Sequence, residues 1–194
     1  MNSKEIVIAS GNEDKIKEVQ EILKEFKIVS IKELGLDIDV EESEPSFEKN
    51  ALKKAREISI ALGGKLCIAD DSGIEIEYLD GFPGVFTKRW HSGSDRERNL
   101  EILKKLDGVP KEKRKIDFTT AIAISDGKNI NFFEIGKITG IVSETPKGEN
   151  GFGFDEIFEL ENGKTLAEIS SYEKNKISAR KIALEKLRLK LFNL

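Results

Sequence analysis

Apolar residues in this chain follow two periods, and the switch between them marks its elements. Glu5–Ala9 is a short β-branched run that reads as a buried strand, with Ser10-Gly11-Asn12 as the turn after it. Over Asp14–Phe26 the apolar positions Ile16, Val19, Leu23 and Phe26 recur every three or four residues, the spacing of one helix face. Ile28–Ile31 reads as a second strand, so the chain opens with a strand–helix–strand unit. Ile38 and Val40 alternate with acids across Asp37–Ser43, which predicts a short strand running into Glu41-Glu42. A second helix starts at Pro45-Ser46, carries Phe47, Ala51, Ala55, Ile58 and Leu62 on one stripe, and stops at Gly63-Gly64.

The apolar run Lys65–Ala69 predicts a strand that delivers Asp70 and Asp71 to a turn made by Ser72-Gly73, and Ile74–Leu79 reads as extended again. Asp80–Gly84 is a Gly/Pro loop. Ser94-Asp95-Arg96-Glu97 is a capping box opening a helix with Leu100, Leu103 and Leu106 inward, ended by Gly108 and Pro110. Phe118–Ser125 and Ile130–Val142, split by Asp126-Gly127-Lys128, predict a long hairpin. Pro146–Gly153 is a Gly-rich loop, Ser170-Ser171-Tyr172-Glu173 is another capping box, and Ser178 caps a last helix. These elements predict an α/β fold, a mixed sheet with a long antiparallel hairpin and helices packed around it.

Composition narrows the function. The 194 residues suit one domain, and a net charge of −4 lacks the basic footprint of a duplex-binding protein. The single cysteine, Cys67, sits in an apolar run and cannot form an internal disulfide, which fits a reducing cytoplasm. The stretch Ile6–Ala9 is too short for a signal peptide, and no run approaches a membrane span. The one histidine, His91, excludes multi-histidine metal sites and any Ser-His-Asp triad that does not use it.

Four places can carry chemistry. Strand alternation points Asp70 and Asp71 to opposite faces, so one faces a ligand and the other supports it. Such acids suit a hard cation like Mg²⁺, which prefers oxygen, or a general base; an acidic turn explains the same residues. Ser10-Gly11-Asn12-Glu13-Asp14-Lys15 places a helix N-terminus and a lysine where an anion can bind, without the Walker spacing. Glu41 and Glu42 read alone as solvated charges, but near Asp70 and Asp71 one of them completes a metal site; Lys53 or Lys54 can face phosphates. Gly151-Phe152-Gly153-Phe154-Asp155 offers aromatic faces for a base and an acid for its edge, or tucks one of its Phe side chains, with Phe158, into the core.

Together these blocks resemble the inosine triphosphate pyrophosphatase family, the Ham1-like nucleoside-triphosphate pyrophosphatases. The resemblance rests on Ser10–Lys15, Phe47-Glu48-Lys49-Asn50-Ala51-Leu52-Lys53-Lys54-Ala55, Ala69-Asp70-Asp71-Ser72-Gly73, Leu79–Val85, Gly151–Asp155, Ala167-Glu168 and Glu173–Arg180, in the family's order over nearly the whole chain. It implies an Mg²⁺-dependent enzyme that hydrolyses dITP, ITP and xanthosine triphosphates to monophosphate and pyrophosphate, as a homodimer; the charge, hydropathy and cysteine readings above add a cytoplasmic setting with no nucleic-acid or membrane partner. It also implies site roles. Ser10, Gly11, Asn12, Glu13, Asp14, Lys15 and Lys54 would hold the triphosphate. Glu41 or Glu42, with Asp71, would hold Mg²⁺, Asp70 supporting; Asp71 would also be the base, although sequence leaves open which aspartate is ligand and which is base. Ser72 would touch substrate. Phe152, Gly153, Phe154, Asp155, Lys174, Ala179 and Arg180 would form the base pocket. The chain departs from the family twice: Ser178-Ala179-Arg180 replaces the usual Ser-His-Arg, removing a donor to a purine 6-oxo group, and Phe154 and Glu156 replace the usual Tyr or Trp and Pro. The expected architecture is thus a single α/β domain over 1–194, a central mixed sheet with helices on both sides and two lobes around a nucleotide cleft.

Overall fold

The computed structural model describes residues 4–36 and 38–192. Its elements in chain order are β1 Glu5–Ile8, α1 Glu13–Ile22, β2 Lys27–Ser30, α2 Phe47–Ala61, β3 Cys67–Ile76, β4 Phe82–Pro83, α3 Asp95–Lys105, β5 Lys115–Ser125, β6 Asn131–Val142, β7 Phe158–Glu159, α4 Ser171–Ile177 and α5 Ala179–Leu191. The strands form one mixed sheet in the order β2-β1-β3-β5-β6-β7, with β4 paired to β3. β1 runs parallel to both β2 (Ile6 opposite Ile28) and β3 (Ile8 opposite Ile68), whereas β4 and β7 are antiparallel to their neighbours. The predicted hairpin is β5–β6, its turn closed by the Asp126 N–H on the Ile130 carbonyl at 3.0 Å.

The described chain divides into two compact units. The first comprises the described residues of 1–72, 120–136 and 179–194. Alternation along β1 and β3 sorts its core: Ile6, Ile8 and Ile68 pack with Val19 and Leu23 of α1 and Leu184 and Leu187 of α5, while Val7 and Cys67 pack with Ile58 of α2. Helices therefore cover both faces of this part of the sheet. Gly136 on β6 lets α5 come close: a Cβ there would lie 1.9 Å from the Ala179 carbonyl oxygen. The second unit, residues 73–119 and 137–178, has its own core, with Ile74 and Ile76 of β3, Ile102 and Leu106 of α3, and Phe154, Ile157 and Phe158.

Several expectations change, the smaller ones being that α1 ends at Ile22 rather than Phe26 and that Glu77–Leu79 forms a 3₁₀ turn rather than staying extended. The predicted strand over Asp37–Ser43 is absent from its described part, residues 38–43; Asp37 lies outside the described residues. The nearby backbone groups are satisfied from α2 instead. Asn50 Oδ1 accepts the Glu44 N–H at 2.9 Å, and Lys53 Nζ donates to the Glu41 carbonyl at 2.8 Å. Ser72-Gly73 is not a turn: β3 runs through it to Ile76, because Ile74 and Ile76 are fully buried and β4 pairs with Glu75 and Ile76. The inward face of α3 is also rotated. Leu100 is 48% exposed, and Asn99 and Ile102 point inward with Leu106. The capping boxes at Ser94 and Ser170 form as predicted, and α2 gives way at Gly63 and Gly64, both with positive φ.

Candidate active site

In the first unit, the carboxylates of β3 face two different environments. Asp70 turns toward α1 and α5. Its Oδ2 is 2.7 Å from Lys15 Nζ and 3.0 Å from Arg180 Nη2, and the Ser72 hydroxyl donates to it at 3.4 Å. Burial alone would raise the Asp70 pKa, but Lys15 and Arg180, with Lys54 nearby, hold it well below the usual carboxylate range. Arg180 also pairs with Glu18 of α1. Two cations and two anions thus share one buried cluster, Lys15 and Glu18 each 8% exposed and Asp70 and Arg180 each 4%.

Asp71 turns toward α2. Its Oδ2 accepts from Asn50 Nδ2 at 3.0 Å and its Oδ1 from the Ser72 N–H at 3.0 Å. Burial is the main reason its pKa is pushed up to about 6; Lys54 partly offsets this and Glu42 adds to it. Lys54 lies among the acids, with Nζ 2.6 Å from Glu42 Oε1 and donating to the Asp70 carbonyl at 2.5 Å. Burial works against its charge, but Asp70, Asp71 and Glu42 outweigh burial and raise its pKa. One aspartate is therefore locked as an anion, and its neighbour is a carboxyl whose basicity suits proton transfer near neutral pH.

The strand–helix junction is built as a helix start. Asn12 Oδ1 caps α1 by accepting the N–H groups of Asp14 (3.0 Å) and Lys15 (3.2 Å), and Ser10 Oγ accepts the Asn12 N–H at 3.2 Å. Two of the donors expected for an anion are thus taken by Asn12, and Glu13 pairs with Lys32 at 3.0 Å. Gly11 borders a cavity of about 630 Å³ together with Lys32, Ile38 and Asp39. Of the two glutamates, the structure places Glu42 beside Lys54, while Glu41 is exposed and meets α2 through its backbone carbonyl. Among the described residues no three acidic, histidine or cysteine side chains gather as a metal cage.

In the second unit, Asp155 organises the Gly-rich loop. Its Oδ2 accepts the Phe152 N–H at 2.9 Å and Lys174 Nζ at 2.6 Å, and the same ammonium lies 4.3 Å from the centroid of the Phe152 ring. The Ser170 box starts α4 and so fixes Lys174. Phe152 is half-buried at the loop, whereas Phe154, 5% exposed, belongs to the core with Phe158. Gly153 is held by α3: Asp95 Oδ2 accepts its N–H at 2.8 Å, and Asn99 Nδ2 donates to its carbonyl at 3.0 Å.

Several predicted groupings hold and others do not. Lys15, Lys54, Asp70, Asp71 and Ser72 come together, as do Phe152, Asp155 and Lys174. Arg180, expected in the base pocket, instead has its guanidinium on Asp70 and Glu18. Ala179 is 2% exposed, its backbone against Gly136. Four participants carry no site role from the sequence: Glu18, Asn50, Asp95 and Asn99, although Asn50 lies in the Phe47–Ala55 block and Asp95 in the Ser94 capping box. Glu18 lies three residues after Lys15, beside the apolar stripe of α1, where a charge needs a buried partner; that spacing was the available signal. Asn50 stands on the inward stripe of α2, one residue before Ala51.

Comparisons with known proteins bear on the family and the fold. The model of the Ham1 family matches residues 6–190. The dITP/XTP pyrophosphatase of Clostridium perfringens is 42% identical over 195 residues, covering 95% of this chain and 96% of the relative. That of Bacillus subtilis is 42% identical over 190 residues, covering 95% of each. The solved Ham1 protein of Staphylococcus aureus superposes with a TM-score of 0.87 at 36% identity, over 98% of this chain and 99% of that one. A HAM1 protein from Coxiella burnetii gives 0.87 at 35%, over 98% and 100%. With a matching family model over nearly its full length and relatives above 40% identity, this chain belongs to the Ham1 family.

Proposed function

We propose that this protein hydrolyses noncanonical purine nucleoside triphosphates, dITP, ITP and xanthosine triphosphates, to the monophosphate and pyrophosphate, and so clears deaminated purines from the nucleotide pool. The observation that carries the reading is the division of labour between Asp70 and Asp71, together with relatives named dITP/XTP pyrophosphatases. Asp71 is the base: it takes a proton from the water that attacks the α-phosphorus, while the α–β anhydride bond breaks and its electron pair leaves with pyrophosphate. Lys54 and Lys15 stabilise the charge that gathers on the departing phosphates. Asp70, held by two cations, keeps Lys15 and Arg180 in place. In the second unit, the Phe152 ring stacks on the base, with Lys174 and Asp155 at its edge.

The donors present fit Mg²⁺. Asp71 and Glu42 are hard oxygen ligands, and Mg²⁺ is commonly held by one or two carboxylates with waters and substrate phosphates rather than by an all-protein cage. Those two residues would hold it, and when bound it would neutralise phosphate charge. A homodimer and a cytoplasmic location complete the proposal; the dimer rests on the family resemblance, and light scattering tests it. A mere nucleotide binder, suggested by Ala179 in place of histidine, is not favoured, since the relatives are named as pyrophosphatases and the acid–lysine cluster is complete. The test is pyrophosphate release from dITP, XTP, ATP and GTP with Mg²⁺. Turnover concentrated on dITP and XTP is expected; none at micromolar enzyme would overturn the reading.

A further inference from the structure

Helix α3 spends a core position on an amide. Asn99 is 1% exposed and shares the inward face with Ile102 and Leu106. Its Oδ1 is buried without a hydrogen-bond partner among the described residues, which an apolar side chain at that position would avoid. What the amide supplies is the 3.0 Å bond from Nδ2 to the Gly153 carbonyl. Asp95, four residues earlier on the same helix face, takes the Gly153 N–H at 2.8 Å. Both peptide groups flanking one Cα are therefore gripped by one rigid helix, at a residue whose φ of +66° suits glycine. The neighbouring residue is Phe152, whose N–H goes to Asp155 and whose ring carries Lys174.

We propose that Asp95 and Asn99 are positioning residues for base recognition: by clamping Gly153 they set the tilt of the Phe152 ring against Lys174, and so determine which purine is accepted. The inference rests on the function proposed above, and it adds to the site a helix that lies outside the blocks carrying the family resemblance. An aromatic platform discriminates only if its ring is held at a defined height and angle, and a glycine in a loop has no side chain with which to hold itself.

The test compares Asn99→Leu and Asp95→Ala with Ile102→Val, a core change on the same helix face. The readouts are the Kd for inosine monophosphate by calorimetry without metal, and kcat and KM for dITP and dATP with Mg²⁺. Loss of one buried hydrogen bond is expected to weaken monophosphate binding about tenfold in Asn99→Leu, raise KM for dITP similarly, leave kcat within about twofold, and narrow the dITP-over-dATP preference. Asp95→Ala, at a partly exposed acid, should weaken binding about threefold, and it decides the matter if Asn99→Leu does not fold. Ile102→Val should change neither binding nor preference. Unchanged monophosphate affinity in the clamp variants, or an equal loss in Ile102→Val, would overturn the proposal. A wild-type enzyme inactive on every nucleotide sinks the function reading, whereas an active wild type with indifferent clamp variants sinks this inference alone.

Discussion

Arg180→Met removes a guanidinium that is 4% exposed and serves two carboxylates, Asp70 at 3.0 Å and Glu18. Deleting one member of a buried ion pair costs about 3–5 kcal/mol, because the other charge stays behind in a low dielectric. Lys15 remains 2.7 Å from Asp70, so that carboxylate stays paired and the loss falls on the contact between Arg180 and Glu18. The lower end of the range, about 3 kcal/mol, is expected. With a urea dependence of about 2 kcal/mol per molar, the unfolding midpoint should fall by about 1.5 M. The companion variant Glu18→Met/Arg180→Met removes both charges and fills their volume with apolar atoms, leaving Asp70 with Lys15. Such exchanges are often neutral, so the double variant should recover at least about 2 kcal/mol of the loss. Urea titrations followed by far-ultraviolet circular dichroism complete the cycle with Glu18→Met. A single-variant loss below about 1 kcal/mol, the range of exposed pairs, or a double variant that merely adds the two single losses, would refute the reasoning.

Three further outcomes are expected. Asp71→Asn keeps the size of the side chain and should retain the fold by circular dichroism while lowering kcat for dITP by about 10²–10⁴-fold; near-normal turnover would remove Asp71 as the base. Gly136→Ala drives a Cβ to 1.9 Å from the Ala179 carbonyl oxygen and 2.7 Å from the Ala183 nitrogen, both backbone atoms that cannot swing aside. It should cost about 3 kcal/mol and lower Tm by about 9 °C, and an unchanged melting curve would show that the approach of α5 to β6 is looser than described. Burial pushes the Cys67 thiol up to about 11 from an ordinary 9.0. The unfolded thiol ionises first, so its effect is nil below pH 9, and stability falls as pH rises from about 9 to 11. Relative to Cys67→Ala, the wild type should lose about 2 kcal/mol more between pH 8 and 10.5; parallel pH curves would contradict a buried neutral thiol.

What could be read from the sequence was local. The periods of α1 and α2, the capping boxes of α3 and α4 and the β5–β6 hairpin depend on residues within one or two turns of each other, so spacing suffices. Alternation along a strand was enough to say that Asp70 and Asp71 face opposite ways, and the structure gives them opposite environments. Other features were not legible because their cause lies far along the chain. Ser72-Gly73 has turn composition, yet it stays extended because burial of Ile74 and Ile76 and pairing with Phe82-Pro83 outweigh local preference. The segment 38–43 alternates like a strand, but its neighbour is the side-chain face of α2 rather than another strand, so Lys53 takes up the Glu41 carbonyl within it and Asn50 the Glu44 N–H just after it.

The sequence by itself determined the inventory: which acids, lysines, glycines and aromatics exist, on which elements, and the family they resemble. Only the tertiary structure decided their partners. Glu18 and Arg180 are 162 residues apart and Asp70 and Arg180 are 110 apart, yet each pair shares a hydrogen bond. A charge on a helix face can be solvated or buried, and no local pattern distinguishes the two. The difference lies in whether a counter-charge from a distant element is packed against it, and here that packing turned one aspartate into a fixed anion and left its neighbour with basicity to spare.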